Sequence, residues 1–104
     1  MLLLFSCNQD QEVGSKDAKG LFKVRGCTDC HDTKRRLIGP SLLEIAKRYE
    51  KDKRAENILL RSLREGSCGK WKAKWECMPP QKLEEEEARA MIRWILTLKP
   101  QSSP

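Results

Sequence analysis

Apolar residues along this chain recur at three-to-four spacing in four separate stretches, and no stretch alternates apolar with polar as a half-buried strand would. The first runs from Lys16 with Leu21 and Phe22 on one face. Gly26 is placed to end it, because the residue just past a helix often takes a left-handed conformation that glycine adopts freely. After the turn at Gly39 and Pro40, Ser41 caps a second helix carrying Leu42, Leu43, Ala46 and Tyr49. A third, Ala55 to Arg64, presents Ile58, Leu59 and Leu63 and stops at Gly66. The last starts near Leu83, where Glu84 to Glu87 set negative charge against the positive end of the helix dipole. Its buried stripe is expected to be Ala88, Met91, Ile92, Ile95 and Leu96, and Pro100 ends it. The segment Gly66 to Pro80 has glycines, prolines and tryptophans but no period, so a structured loop is expected there. With no strand pattern and no internal repeat, the prediction is an all-α domain of four or so short helices.

The ends of the chain read differently. Met1 to Phe5 is an apolar run leading to Ser6 and Cys7, and the polar stretch that follows has no period. Residues 1–15 are expected to be an export leader and tether, 16–100 the folded domain, and 101–104 a disordered tail. A complete signal peptide has a charged start and an apolar stretch of about 7 to 15 residues, longer than this run. No other segment approaches the roughly 20 apolar residues of a spanning helix.

Helices this short are marginal alone and need something to pack around. Of the 104 residues, 38% are hydrophobic and 35% charged, a thin supply for a protein-only core. A large apolar cofactor would supply what the side chains lack. The net charge of +6 and pI near 9.2 suit nucleic acid, an anionic membrane or an acidic protein patch, and charge alone does not choose. Five cysteines suggest a disulfide framework, a metal site or a haem attachment. The single histidine excludes a bis-histidine haem within one chain.

Cys27-Thr28-Asp29-Cys30-His31 contains Cys-x-x-Cys-His, the haem-attachment signature. Two thiols three positions apart can add to the two vinyl groups of one haem, and the next residue then lies under the iron, where imidazole coordinates it. A reactive dithiol of thioredoxin type belongs near a βαβ unit, and none is visible. A zinc site joining Cys27 and Cys30 to Cys68 and Cys77 would suggest a nucleic-acid-binding module. Its second pair is separated by eight residues, however, and it gives His31 no role. For the sixth iron ligand the candidates are Met78, Met91, a lysine or a free cysteine. Met91 falls on the apolar stripe of the last helix, whereas Met78 is followed by Pro79 and Pro80, which restrict the backbone beside it. Ligation by His31 and Met78 leaves no open position for a substrate, which points to a carrier and not an enzyme. A peroxidase-like or gas-sensing domain would instead need Met78 to be weak or displaced.

With these features the chain resembles the small bacterial class I cytochromes c, over roughly Lys16 to Lys99. The resemblance rests on ordered blocks: Leu21-Phe22-Lys23, Ile38-Gly39-Pro40-Ser41-Leu42, Gly66-Ser67 with Gly69 and Trp71, Met78-Pro79-Pro80, and Trp94-Ile95-Leu96. It implies the cytochrome c fold around one covalently bound haem c, with His31 and Met78 on the iron. It further implies a Pro40 carbonyl bonded to His31, a Trp71 that hydrogen-bonds a haem propionate, and Phe22 and Trp94 where the first and last helices cross.

The segment from Lys72 to Cys77 is longer and more charged than the Gly/Pro-rich link usual in the family, and a disulfide between Cys68 and Cys77 would restore its rigidity. Leu4-Phe5-Ser6-Cys7 resembles a lipobox, implying an acylated Cys7 that tethers the carrier to a membrane. The expected location is the periplasm. The expected partners are respiratory reductases, terminal oxidases or peroxidases with acidic docking sites, steered by Lys34, Arg35, Arg36, Lys70, Lys72 and Lys74, and not nucleic acid.

Overall fold

A computed structural model describes residues 15–71 and 77–100. In order they form α1 (Ser15–Val24), a 3₁₀ turn at Cys27–Asp29, α2 (Leu42–Arg48), α3 (Ala55–Glu65), β1 (Ser67–Cys68), β2 (Cys77–Met78) and α4 (Glu85–Thr97). The four expected helices are present. The addition is β1–β2, an antiparallel pair with Ser67 opposite Met78 and Cys68 opposite Cys77. Strands of two residues are too short for any alternation to reveal them.

Local chemistry sets the helix ends. Gly26 takes φ 80° after α1, and its N–H donates to Lys23 O at 3.1 Å. At the start of α2, Ser41 Oγ accepts from the Glu44 N–H at 3.0 Å, while Glu44 Oε1 accepts from the Ser41 N–H at 2.8 Å. The next two N–H groups, of Leu42 and Leu43, donate to Asp32 O and Thr33 O. These bonds satisfy donors that a helix start leaves orphaned, and they tie α2 to the segment just after His31. Gly66, at φ 85°, closes α3. α4 starts two residues later than the charge pattern suggested, with Glu84 extended, and Leu98 leaves it extended ahead of Pro100.

α4 is the hub against which α1, α2 and α3 pack. It buries Ala88, Met91, Ile92 and Ile95, while Leu96 is only half-buried. Where α1 crosses it, the rings of Phe22 and Trp94 meet with centroids 5.2 Å apart. On α3 the buried leucine is Leu60, which packs with Ala88 and Ile92. The expected Ile58, Leu59 and Leu63 are half-buried, and Leu59 and Leu63 border a cavity instead. On α2 the same exchange puts Ile45 inside and leaves Leu43 half-buried. Glu56 of α3 accepts from Arg89 at 2.6 Å and from Arg93 at 3.0 Å, a charged tie between α3 and α4. Among the described residues no helix is long and apolar enough to cross a membrane.

Candidate functional site

A cavity of about 210 Å³ lies among the four helices. Its walls are apolar, with Phe22 from α1, Ile45 from α2, Leu59 from α3, and Met91 and Ile95 from α4. The six residues singled out from the sequence, Cys27, Cys30, His31, Pro40, Trp71 and Met78, all border this one cavity. These six come to it from four separate stretches of chain.

The attachment motif forms one side. Cys27 and Cys30 are free, half-buried thiols on and after the 3₁₀ turn, and burial pushes the Cys27 thiol above its ordinary pKa, partly offset by a backbone hydrogen bond. His31 Nδ1 lies 2.7 Å from Pro40 O. A carbonyl only accepts, so Nδ1 carries a proton and donates, which leaves Nε2 as the ring nitrogen not engaged by Pro40. Gly39 lies against the same ring: a Cβ there would come within 2.7 Å of His31 Cε1. The Gly39 N–H donates to Cys30 O at 2.9 Å, so motif and loop are held face to face.

Met78 borders the same cavity, half-buried in β2. Cys77, the residue before it, is joined to Cys68 by a disulfide. Gly66 passes so close beneath that a Cβ would come within 2.7 Å of Met78 O. Beyond the prolines, the Gln81 N–H donates to Leu63 O at 2.6 Å, pinning the far side of the segment to α3. Met91 also borders the cavity but is 2% exposed and held within α4, as a core residue would be.

Trp71 closes a third side. It is half-buried and meets the Tyr49 ring edge-on at 6.5 Å. The Arg48 guanidinium carbon stacks 4.6 Å from the Trp71 ring centroid, and Arg48 Nη1 donates to Lys70 O at 2.9 Å. Arg36 Nη1 donates to Trp71 O at 2.9 Å, and its Nη2 donates to Glu44 Oε2 at 3.2 Å. Two arginines thus hold two consecutive carbonyls of the segment leading toward Met78. Sequence reasoning missed Arg48, and it gave no sign that the exposed Arg36 also makes these two bonds. Of the other basic residues named there, Lys34 and Lys70 are exposed, Arg35 lies 3.7 Å from Asp32, and Lys72 and Lys74 fall outside the described residues, as do Cys7, its lipobox and the tail.

The zinc alternative loses half its ligands, because Cys68 and Cys77 are bonded to each other. Among the described residues no three His, Cys, Asp or Glu side chains cluster as a metal site. The residues that do gather fit a covalently attached haem: apolar walls, two free thiols, an imidazole held through Nδ1, and a thioether. The close seat of Gly39 on the ring, with no room for a side chain, belongs to the same fit.

Comparison with known proteins bears on the same stretch. The family model described as Cytochrome c matches residues 15–99. Cytochrome c-552 of Hydrogenobacter thermophilus is 37% identical over 79 residues, covering 76% of this chain and 79% of that protein. Cytochrome c-551 of Ectopseudomonas mendocina is 38% identical, covering 76% and 94%. Among solved structures, wild-type cytochrome c552 of Nitrosomonas europaea is similar with a TM-score of 0.72 and 34% identity, covering 78% of this chain and 99% of that one.

Proposed function

The chain belongs to the cytochrome c family, electron carriers that bind haem c covalently, and from that premise we propose that it is a periplasmic one-electron carrier whose iron is held by His31 and Met78. The observation that carries this reading is the meeting of Cys27, Cys30, His31 and Met78 around one apolar cavity, with His31 Nδ1 donating to Pro40 O at 2.7 Å. When bound, the haem supplies a ferric/ferrous couple. Everything else is the work of the chain. Cys27 and Cys30 anchor the group through thioethers, so it is retained whichever oxidation state the iron holds. Pro40 fixes the tautomer that leaves Nε2 for the metal and makes the imidazole the more basic ligand. The Met78 thioether, as the second ligand, would favour the ferrous state and raise the potential, and with His31 and Met78 both holding the iron no position would remain for a substrate.

Apolar walls from all four helices exclude water, which keeps the charge change on the iron in a low-dielectric setting. Trp71, held by Arg48 and Arg36, would hydrogen-bond a haem propionate. Lys34 and Lys70 are exposed cations that steer the carrier toward acidic sites on a reductase or oxidase. Acylation of Cys7 would hold the domain near a membrane face on a short tether.

The test is made on protein matured in the periplasm alongside the cytochrome c maturation machinery. Haem that stays with the chain through acid–acetone extraction, in a ferrous protein that does not bind carbon monoxide, supports the carrier. Extractable haem contradicts attachment through Cys27 and Cys30, and ready carbon monoxide binding contradicts ligation by Met78.

A further inference from the structure

We propose that the Cys68–Cys77 disulfide is a second redox site of this chain, a substrate for thiol–disulfide exchange with a dithiol, and that its state decides whether Met78 stays on the ferric iron. The inference rests on the reading of Met78 as a ligand. The bridge joins directly opposed residues of β1 and β2, and both cysteines are exposed. Met78, the next residue, is half-buried at the cavity. An exposed disulfide thus adjoins the half-buried Met78 in the chain, and Cys77 itself borders the cavity.

The mechanical consequence follows from what else holds this segment. β1 and β2 have two residues each, so few ladder bonds tie Met78 to the body. Its carbonyl rests over Gly66, where the fit leaves no slack, and the next firm anchor is the Gln81 N–H bonded to Leu63 O. Met78 therefore sits between a covalent anchor on its N-terminal side and a hydrogen-bonded one three residues beyond it. Opening the first leaves Met78 held on that side only by its short ladder with Ser67. A thioether is a soft ligand and binds ferric iron less well than ferrous, so the ferric state loses it first.

The exchange balances without the haem. A thiolate of the dithiol attacks one sulfur of the bridge, the S–S bond breaks, and a mixed disulfide forms; the second thiol of the reagent then resolves it. Two electrons and two protons pass to Cys68 and Cys77, the dithiol leaves as a disulfide, and the iron keeps its oxidation state.

The experiment uses the full haem-loaded chain in three forms. One is untreated. A second is incubated with dithiothreitol under native conditions, blocked with iodoacetamide, and reoxidised at the iron with ferricyanide. The third is the Cys68→Ser/Cys77→Ser variant, which needs no reagent. The reading is the weak far-red band of methionine-ligated ferric haem as a function of pH, with the blocked cysteines counted by mass. The expected result is two blocked cysteines in the second form. In the second and third forms the far-red band is then lost, or the pH of its half-loss falls by about one unit or more, a tenfold weakening of Met78 ligation. A bridge that resists the dithiol overturns the proposal, as does a band unchanged in both altered forms. If the variant fails to fold, the blocked wild type still decides. An untreated protein without the band overturns the Met78 reading and this proposal together, whereas a band that survives all treatments with the pH of its half-loss unmoved overturns this proposal alone.

Discussion

Gly39 lies so near His31 that a Cβ would come within 2.7 Å of ring Cε1 and 3.2 Å of Nδ1. The neighbouring Pro40 carries the carbonyl to which that Nδ1 donates. One backbone position therefore sets the seat of the ring, and the next sets its tautomer. The requirement is one of space, since no positive φ is involved at Gly39.

Gly39→Ala must displace either the ring or the loop, and each movement disturbs the bond to Pro40. The expected cost is that of overpacking a tight site, about 1–3 kcal/mol. A guanidinium titration of the haem-loaded protein measures it, and the Nδ1 proton signal of the ferrous protein should shift in the same variant. A variant of unchanged stability and unchanged signal would mean that Gly39 is merely a turn residue.

Ser41 caps α2 through the reciprocal pair with Glu44, and the hydroxyl belongs to a residue only 1% exposed. Ser41→Ala is expected to cost about 1 kcal/mol. Ser41→Thr keeps an oxygen acceptor and should lose less. Denaturant midpoints of the two variants, compared at equal slope, provide the check.

Much of this architecture is legible in the sequence, and the parts that are not share a physical reason. Three-to-four spacing marks the apolar face of a helix, but it does not say what covers that face. Leu59 and Leu63 border the cavity while Leu60 enters the core, and all three are simply apolar residues of one helix. The attachment motif and its neighbours are legible because their geometry is local, within a few residues of one turn. The arginine bonds to Trp71 O and Lys70 O span 35 and 22 positions, and such contacts leave no local signal. Gly39 could be recognised as a glycine-proline turn, but its approach to His31 exists only once the loop is folded back.

The α3 assignment has a direct consequence. Leu60, 4% exposed between Ala88 and Ile92, should lose about 2–5 kcal/mol on truncation to alanine. Leu63→Ala should lose less, since Leu63 is half-buried and borders the cavity. Equal losses would contradict the placement of Leu60 in the smaller core cluster.

Hydrogen bonds and charge from Arg93 and Arg89 hold the Glu56 carboxyl below its ordinary value of 4.5. The folded chain thus keeps this carboxylate ionised to lower pH than the unfolded chain does. Its stabilising contribution is fully present above the ordinary range and is lost as pH falls through the lowered value. Glu56→Gln should therefore lower the melting temperature at pH 7, and the difference from wild type should shrink steadily below about pH 4.5. A difference independent of pH would point to packing and not to the ion pairs.

The central claim is that Met78, which borders the same cavity as His31, completes the iron's ligand set. The most direct measurement is the ferric absorption spectrum of the haem-loaded chain and of its Met78→Ala and Met91→Leu variants. The account predicts the weak far-red band in wild type and in Met91→Leu, and its loss in Met78→Ala together with a fall in reduction potential. A band that survives Met78→Ala, or that disappears with Met91→Leu, would contradict it.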